Sequence, residues 1–162
     1  MVNKVYVHEE TPITFKDSAG TVVFTPTSLA TLTGRQSAHH DLGTSARALT
    51  YAWRAYCQFS TAPVVGEVVE IYIKTSDGTH PDNDDGTGDI AVSSIDKLKN
   101  LTQIGVITVD QASTAIEFAS SGFISLPQRY VAVVFWNATV DTLSSTAADN
   151  GFILTPVPFE IQ

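Results

Sequence analysis

Residues 129–139 read RYVAVVFWNAT, and within them 130–136 carry no charge and are aromatic, β-branched or alanine throughout. That composition reads as a central strand. Side chains alternate across a strand, so Val131, Val133 and Phe135 face one way and Tyr130, Ala132, Val134 and Trp136 the other. Both faces are apolar, whereas an antiparallel strand with one wet face alternates apolar and polar. The second face therefore needs a cover, which another layer, a chain terminus or another subunit can supply.

Working outward, residues 46–59 form the longest alternating run, with Leu49, Tyr51, Trp53, Ala55, Cys57 and Phe59 on one face and Thr50, Arg54 and Gln58 opposite. Extended throughout, it would span about 45 Å, so a bend or a strand-to-loop transition is expected within 48–52. In 67–75, Val69, Ile71 and Ile73 face in while Glu70, Tyr72 and Lys74 face out. The period-2 faces predict a core of Leu49, Trp53, Cys57, Val69, Ile71, Ile73, Val131, Val133 and Phe135.

The remaining runs are shorter. Residues 4–8, 12–15 and 21–25, with a turn cluster at 18–20, predict an N-terminal edge hairpin over 1–25. Residues 27–45 read as a loop with one short strand. The stretch 76–89, SDGTHPDNDDGTGD, has no large apolar residue and is expected as a solvated loop at one end. In 93–101, Ser93 with Asp96 matches a capping box, and Ile95, Leu98 and Leu101 recur at helical spacing, giving one helix of about two turns. Residues 103–109, 115–118 and 122–126 are short β-runs. In the ending FILTPVPFEIQ, Pro156 and Pro158 exclude a central strand beyond Leu154. That leaves 152–154 as an edge strand and 152–162 as an extended arm whose Val157, Phe159 and Ile161 need cover. Strands at this spacing with one short helix describe an all-β, antiparallel β-sandwich, one domain over 1–162.

The chain of 162 residues has a formal net charge of −8, from 9 basic and 17 acidic residues, and the basic ones are scattered. Nucleic-acid backbone binding is disfavoured. Charged residues are only 16% of the chain, so the surface is polar without strong charge. The single cysteine, Cys57, excludes an internal disulfide and a multi-cysteine metal site. It reads as a buried, inert thiol. No signal-peptide pattern or long apolar run stands out, so neither export nor membrane spanning is expected.

Motifs with chemistry are scarce. Asp82, Asp84, Asp85 and Asp89 in DNDDGTGD are the weak candidates for calcium, but counted from Asp82 the glycine position falls on Thr87 and the closing glutamate on Ser93. Gly86, Gly88 and Ala91 spell a dinucleotide fingerprint without the strand that should precede it. His39, His40 and Asp41 read as a surface cluster, because adjacent histidines in a strand face oppositely. Glu67 and Glu70 lie on opposite faces and make a poor acid–base pair. Neither a GxSxG elbow nor an HExxH is present, and the sequons at 100–102 and 137–139 lack an export signal to give them meaning. The expectation is a non-enzyme without cofactor or metal.

Taken together, VEIYIKTSDG (69–78), SSIDKLKNL (93–101), RYVAVVFWNAT and FILTPVPFEIQ resemble small structural proteins of tailed-bacteriophage virions, over residues 43–162. The resemblance implies a jelly-roll-like sandwich that decorates or cements the outside of the capsid. It implies the major capsid protein as partner, a dimer or trimer, synthesis in the host cytoplasm, and no nucleic-acid or membrane role. The apolar residues expected to meet a partner are Trp136, Phe152, Leu154, Val157, Phe159 and Ile161. The alternative is a carbohydrate-binding β-sandwich module of a virion appendage, with Tyr56, Tyr72 or Trp136 as a stacking platform.

Overall fold

A computed structural model of the chain describes residues 5–17, 19–44 and 47–161; the predicted margins Lys4, Ser18, Ala46 and Gln162 lie outside them. The strands are β1 (Val5–Val7), β2 (Ile13–Lys16), β3 (Val22–Val23), β4 (Thr33–Gln36), β5 (His40–Asp41), β6 (Thr50–Cys57) and β7 (Val68–Ser76). They continue with β8 (Ile90–Val92), β9 (Thr102–Thr108), β10 (Phe118–Ser125), β11 (Tyr130–Asn137), β12 (Gly151–Pro156) and β13 (Phe159–Ile161). One sheet has the order β10-β6-β12-β2-β3 and the other β8-β4-β11-β7-β9, while β1 and β13 form a separate ribbon.

Eight of these strands, β2, β4, β6, β7, β9, β10, β11 and β12, pair first with last: β2 with β12, β4 with β11, β6 with β10 and β7 with β9, all antiparallel. Wrapping that long four-pair hairpin on itself joins β12 to β6 and β11 to β7, which is the jelly-roll winding. Between the sheets lies one cluster in which Trp53, Cys57, Val69, Ile71, Ile73, Val131, Val133 and Phe135 are buried as predicted. Leu49 is the exception at 60% exposed. β6 starts only at Thr50, within the expected transition, and at Leu49 the chain is still arriving, its carbonyl accepting the Leu126 N–H at 2.9 Å. Alternation stops meaning "in" where the ladder stops.

The apolar outer face of β11 is covered from within the chain. Val134 and Trp136 pack under Val92, Leu98 and Leu101, with Tyr72 beside them, so the segment between β7 and β9 forms a third layer. The loop 76–89 is solvated over 77–81 and 86–88, as expected, while its inner side and residues 92–101 form a lid on the sheet. Lys74, expected to face solvent, is fully buried beneath it, its Nζ donating to Gln36 Oε1 at 3.1 Å and Gly86 O at 2.8 Å. The predicted helix is a single 3-10 turn, Ile95–Leu98, capped by Ser94 rather than Ser93, and Ile95 is exposed.

Four further expectations are corrected. β12 is central, between β6 and β2, despite Pro156. The Val157 N–H bonds Thr50 O at 2.9 Å, so residues of that parity address β6. Pro156 addresses the other side, past Ile13, the last paired residue of β2, where its missing N–H costs nothing. Residues 118–125 form one strand, not two. β2 and β3 pair in parallel and are no hairpin, although β3 is the sheet edge. Residues 27–45 supply β4 and β5, which flank β11 and are separated by a bulge. Residues 37–39 oppose only 132–133 there. The Ala38 and His39 N–H groups in that bulge turn away to Val23 O at 2.8 Å and Thr87 O at 2.9 Å.

Candidate functional site

One end of the sandwich gathers the start of β11, the ends of β7 and β12, residues 42–44 and 47–49, the loop 126–129, and the β1–β13 ribbon. The ribbon grows out of β12. Val157 is buried at its root, and beyond Pro158 the chain turns back to pair Phe159 with Val7 and Glu160 with Tyr6. Directly opposed residues share a face, so Val7 and Phe159 stand side by side. Phe159 is 69% exposed; Tyr6, Val7 and Leu49 are exposed with it.

Two clefts flank this arm. One, of about 450 Å³, is lined by Ile13, His40, Asp41, Tyr51, Pro158 and Phe159 among others. The second, of about 410 Å³, lies between Arg47, Leu49 and Ser125 on one side and Val157 and Phe159 on the other. Phe159 and Arg47 line both.

The surrounding loops are braced by charge. Arg129 grips Asp41 through Nε–Oδ1 at 2.7 Å and Nη2–Oδ2 at 2.5 Å, and the Gly43 N–H donates to Oδ1 at 2.8 Å. The guanidinium and that N–H hold the Asp41 carboxyl down at about 2. Arg129 also lies over the Tyr130 ring, 4.8 Å from its centroid. Arg47 ties the two loops together by donating to Leu126 O at 3.2 Å and Pro127 O at 2.5 Å. His39 and His40 are half-buried rather than a surface cluster. Phe15 meets His40 edge-on at 6.3 Å, and burial lowers both imidazole pKa values. The charged groups at this end hold loops in place beside the exposed Tyr6, Val7, Leu49 and Phe159.

Of the residues expected to meet a partner, Trp136, Phe152, Leu154 and Val157 are buried in the chain's own packing, which overturns that expectation for them. Phe152 stacks on Trp53 at 6.1 Å and meets Phe15 edge-on at 5.7 Å. Phe159 is on the surface. Ile161 pairs with Val5 through its backbone, and its side chain lies outside the described residues. Tyr6, Val7 and Leu49 went unforeseen. The first two had a signal, since Val5, Tyr6 and Val7 are apolar on both faces, as β11 is; Leu49 had none, being in phase with the core.

The four aspartates do not converge. Asp82 accepts from Thr75 N at 2.6 Å and Oγ1 at 2.9 Å, Asp84 and Asp85 share Lys97, and Asp89 takes Arg35 in a two-point grip at 2.8 and 2.7 Å. Among the described residues no three His, Cys, Asp or Glu side chains are grouped to hold a metal. Cys57 is buried, and desolvation pushes its thiol up to about 12. Tyr56 and Tyr72 lie on different sheets and Trp136 is covered, so the three form no aromatic row.

No family model matches the chain, and no curated protein matches it. Among solved structures, it is similar to the enzymatically active domain of tailspike protein 4 of bacteriophage CBA120, with a TM-score of 0.25 and 10% identity. That match covers 99% of this chain and 19% of the tailspike chain, so this chain spans about a fifth of the length of that one.

Proposed function

We propose that the chain is a non-enzymatic structural protein of a tailed-bacteriophage virion, a decoration or cement subunit docked on the outside of the capsid through the ribbon end of its jelly roll. The observation that carries this reading is the set of exposed Tyr6, Val7, Leu49 and Phe159 at one braced end. Val7 and Leu49 each stand beside Phe159, and grouped apolar exposure marks a protein contact. The sequence resemblance supplies the virion. The net charge of −8 argues for a protein surface, the major capsid protein, over a phosphate backbone. In this reading the protein is made in the host cytoplasm and sits on the shell as a dimer or trimer.

Co-sedimentation with capsid shells stripped of the protein tests it. Replacing Leu49 and Phe159 together by serine is expected to leave the melting temperature within about 2 °C, as for surface changes generally. The same change should weaken shell binding about tenfold or more, since an apolar anchor of this size contributes on the order of 1.5–3 kcal/mol when buried. A wild-type protein that ignores the shells, or a double variant that binds as wild type does, contradicts it.

A further inference from the structure

A third cavity, of about 480 Å³, opens on the far side of Asp41 from the ribbon, lined by His39, Asp41, Gly78, Thr79, Thr87 and Tyr130 among others. Its size falls in the range of roughly 300–1,000 Å³ usual for small-ligand sites. The wall is preformed. Gly78 has φ +104°, and a Cβ there would stand 2.9 Å from Tyr130 Cε2, so the bare backbone lies against the ring. Ser76 Oγ accepts the Gly78 N–H at 3.0 Å, and Asp77 Oδ1 accepts the Thr79 and His80 N–H groups at 2.7 Å each.

The polar groups of this lid divide into two sets. Ser76, Asp77, Asp82, Asn83, Asp85 and Asp89 are all committed to the chain itself. By contrast, among the described residues the hydroxyls of Thr79, Thr87 and Tyr130 have no hydrogen-bond partner within the chain. His39 Nε2 is a buried nitrogen without any partner. That nitrogen lies behind the cleft wall, so the groups the cleft itself offers are the Tyr130 ring and the three hydroxyls. Uncommitted groups thus gather at a single concave place.

The lining selects the ligand. An anion would face Asp41 and find the Arg129 guanidinium already engaged; a cation would find a carboxylate already neutralised. What remains is an aromatic ring with its phenol hydroxyl, two threonine alcohols, a neutral imidazole and a compensated carboxylate. Burial and the nearby Lys74 both keep His39 neutral. A sugar ring complements that set: its C–H face lies on an aromatic ring, and its hydroxyls each donate and accept. We propose that the cavity bounded by His39, Asp41, Thr87 and Tyr130 binds a neutral pyranose. The proposal is independent of the docking end and stands or falls without it.

Titration of the full chain with the methyl glycosides of glucose, galactose, mannose and N-acetylglucosamine, followed by amide NMR, tests it. At least one is expected to shift Gly78, Thr79 and Thr87 saturably in the millimolar range. Tyr130→Ala should weaken that binding about tenfold. Because that change also removes the Arg129 contact, Thr87→Val serves as the second variant, with an expected weakening of about threefold to tenfold for one lost hydrogen bond. No saturable shift with any of the four up to tens of millimolar, or a Thr87→Val protein that binds as tightly as the parent, overturns the proposal.

Discussion

Trp53 shows how a single side chain sets what its neighbours are allowed to be. A Cβ on Gly105 of β9 would come within 2.7 Å of its indole Cη2, and one on Gly122 of β10 within 3.1 Å of the same ring. The indole fills the space where the edge strands of the two sheets meet. Gly105→Ala is therefore expected to cost about 1–3 kcal/mol by overpacking, read as a fall of several degrees in melting temperature. An unchanged melt would show the indole free to move. His39 and His40 set the response to acid. Burial lowers both pKa values from 6.5 in the fold, so the unfolded chain binds more protons below that value. Stability should be full above about pH 6.5 and fall as pH drops through it. A double variant with phenylalanine at both positions should show a smaller fall between pH 7.5 and 5.5 if these two groups carry it; an equal fall would place the effect elsewhere. At this scale the sequence was legible wherever a residue sat inside a ladder. It failed at Leu49, one residue before the ladder begins, and at Lys74, whose outward direction was read correctly while the lid above it was invisible.

Among the elements, the segment between β7 and β9 carries the largest surprise, because its polar run is largely in water as composition says, while Val92, Leu98 and Leu101 beyond it return to cover the sheet. Its aspartates are latches of unequal strength. Asp89, which accepts from Arg35 Nε, Arg35 Nη2 and Thr25 Oγ1 while mostly buried, should cost about 2 kcal/mol on replacement by alanine. Asp84 pairs with Lys97 in the open, and its replacement should leave the melting temperature unchanged. Equal effects in a thermal melt would contradict the assignment of Asp89 as the latch. β10 is continuous although Ala119, Ser120 and Ser121 interrupt the apolar alternation, and Gly122 is there for the indole. β12 is central and not an edge strand, because proline excludes a central position only where its nitrogen faces a neighbour. A proline whose nitrogen points past the end of its neighbour is harmless. The consequence is a sharp difference between two truncations. Deleting 158–162 removes the ribbon but keeps Val157 and its bond to Thr50, and should leave a folded protein. Deleting 155–162 strips Ala52 and Tyr51 of their β12 partners and should destabilise the sandwich itself. Circular dichroism melts of the pair check this, and two equally stable truncations would sink it.

At the scale of the whole molecule, first-with-last pairing places residues 42–44 and 47–49 and the loops 77–89 and 126–129, together with the ribbon, at one end. The connections 58–67, 109–117 and 138–150 lie at the other. The division into sheets follows from alternation and turn spacing, but the winding does not, since nothing local in β2 specifies β12 as its neighbour. The first end carries three clefts and the exposed Tyr6, Val7, Leu49 and Phe159. In the proposed docking the subunit would meet the shell end-on, with neither sheet face as the contact and the loops 58–67 and 138–150 pointing away. The most direct measurement is a single-particle reconstruction of capsid shells saturated with the purified protein. The account predicts sandwich-shaped density on the outer surface, standing on end, with the β1–β13 ribbon and Leu49 against the shell. Density in the opposite polarity, a sheet face laid flat on the shell, or no added density at saturation would contradict it.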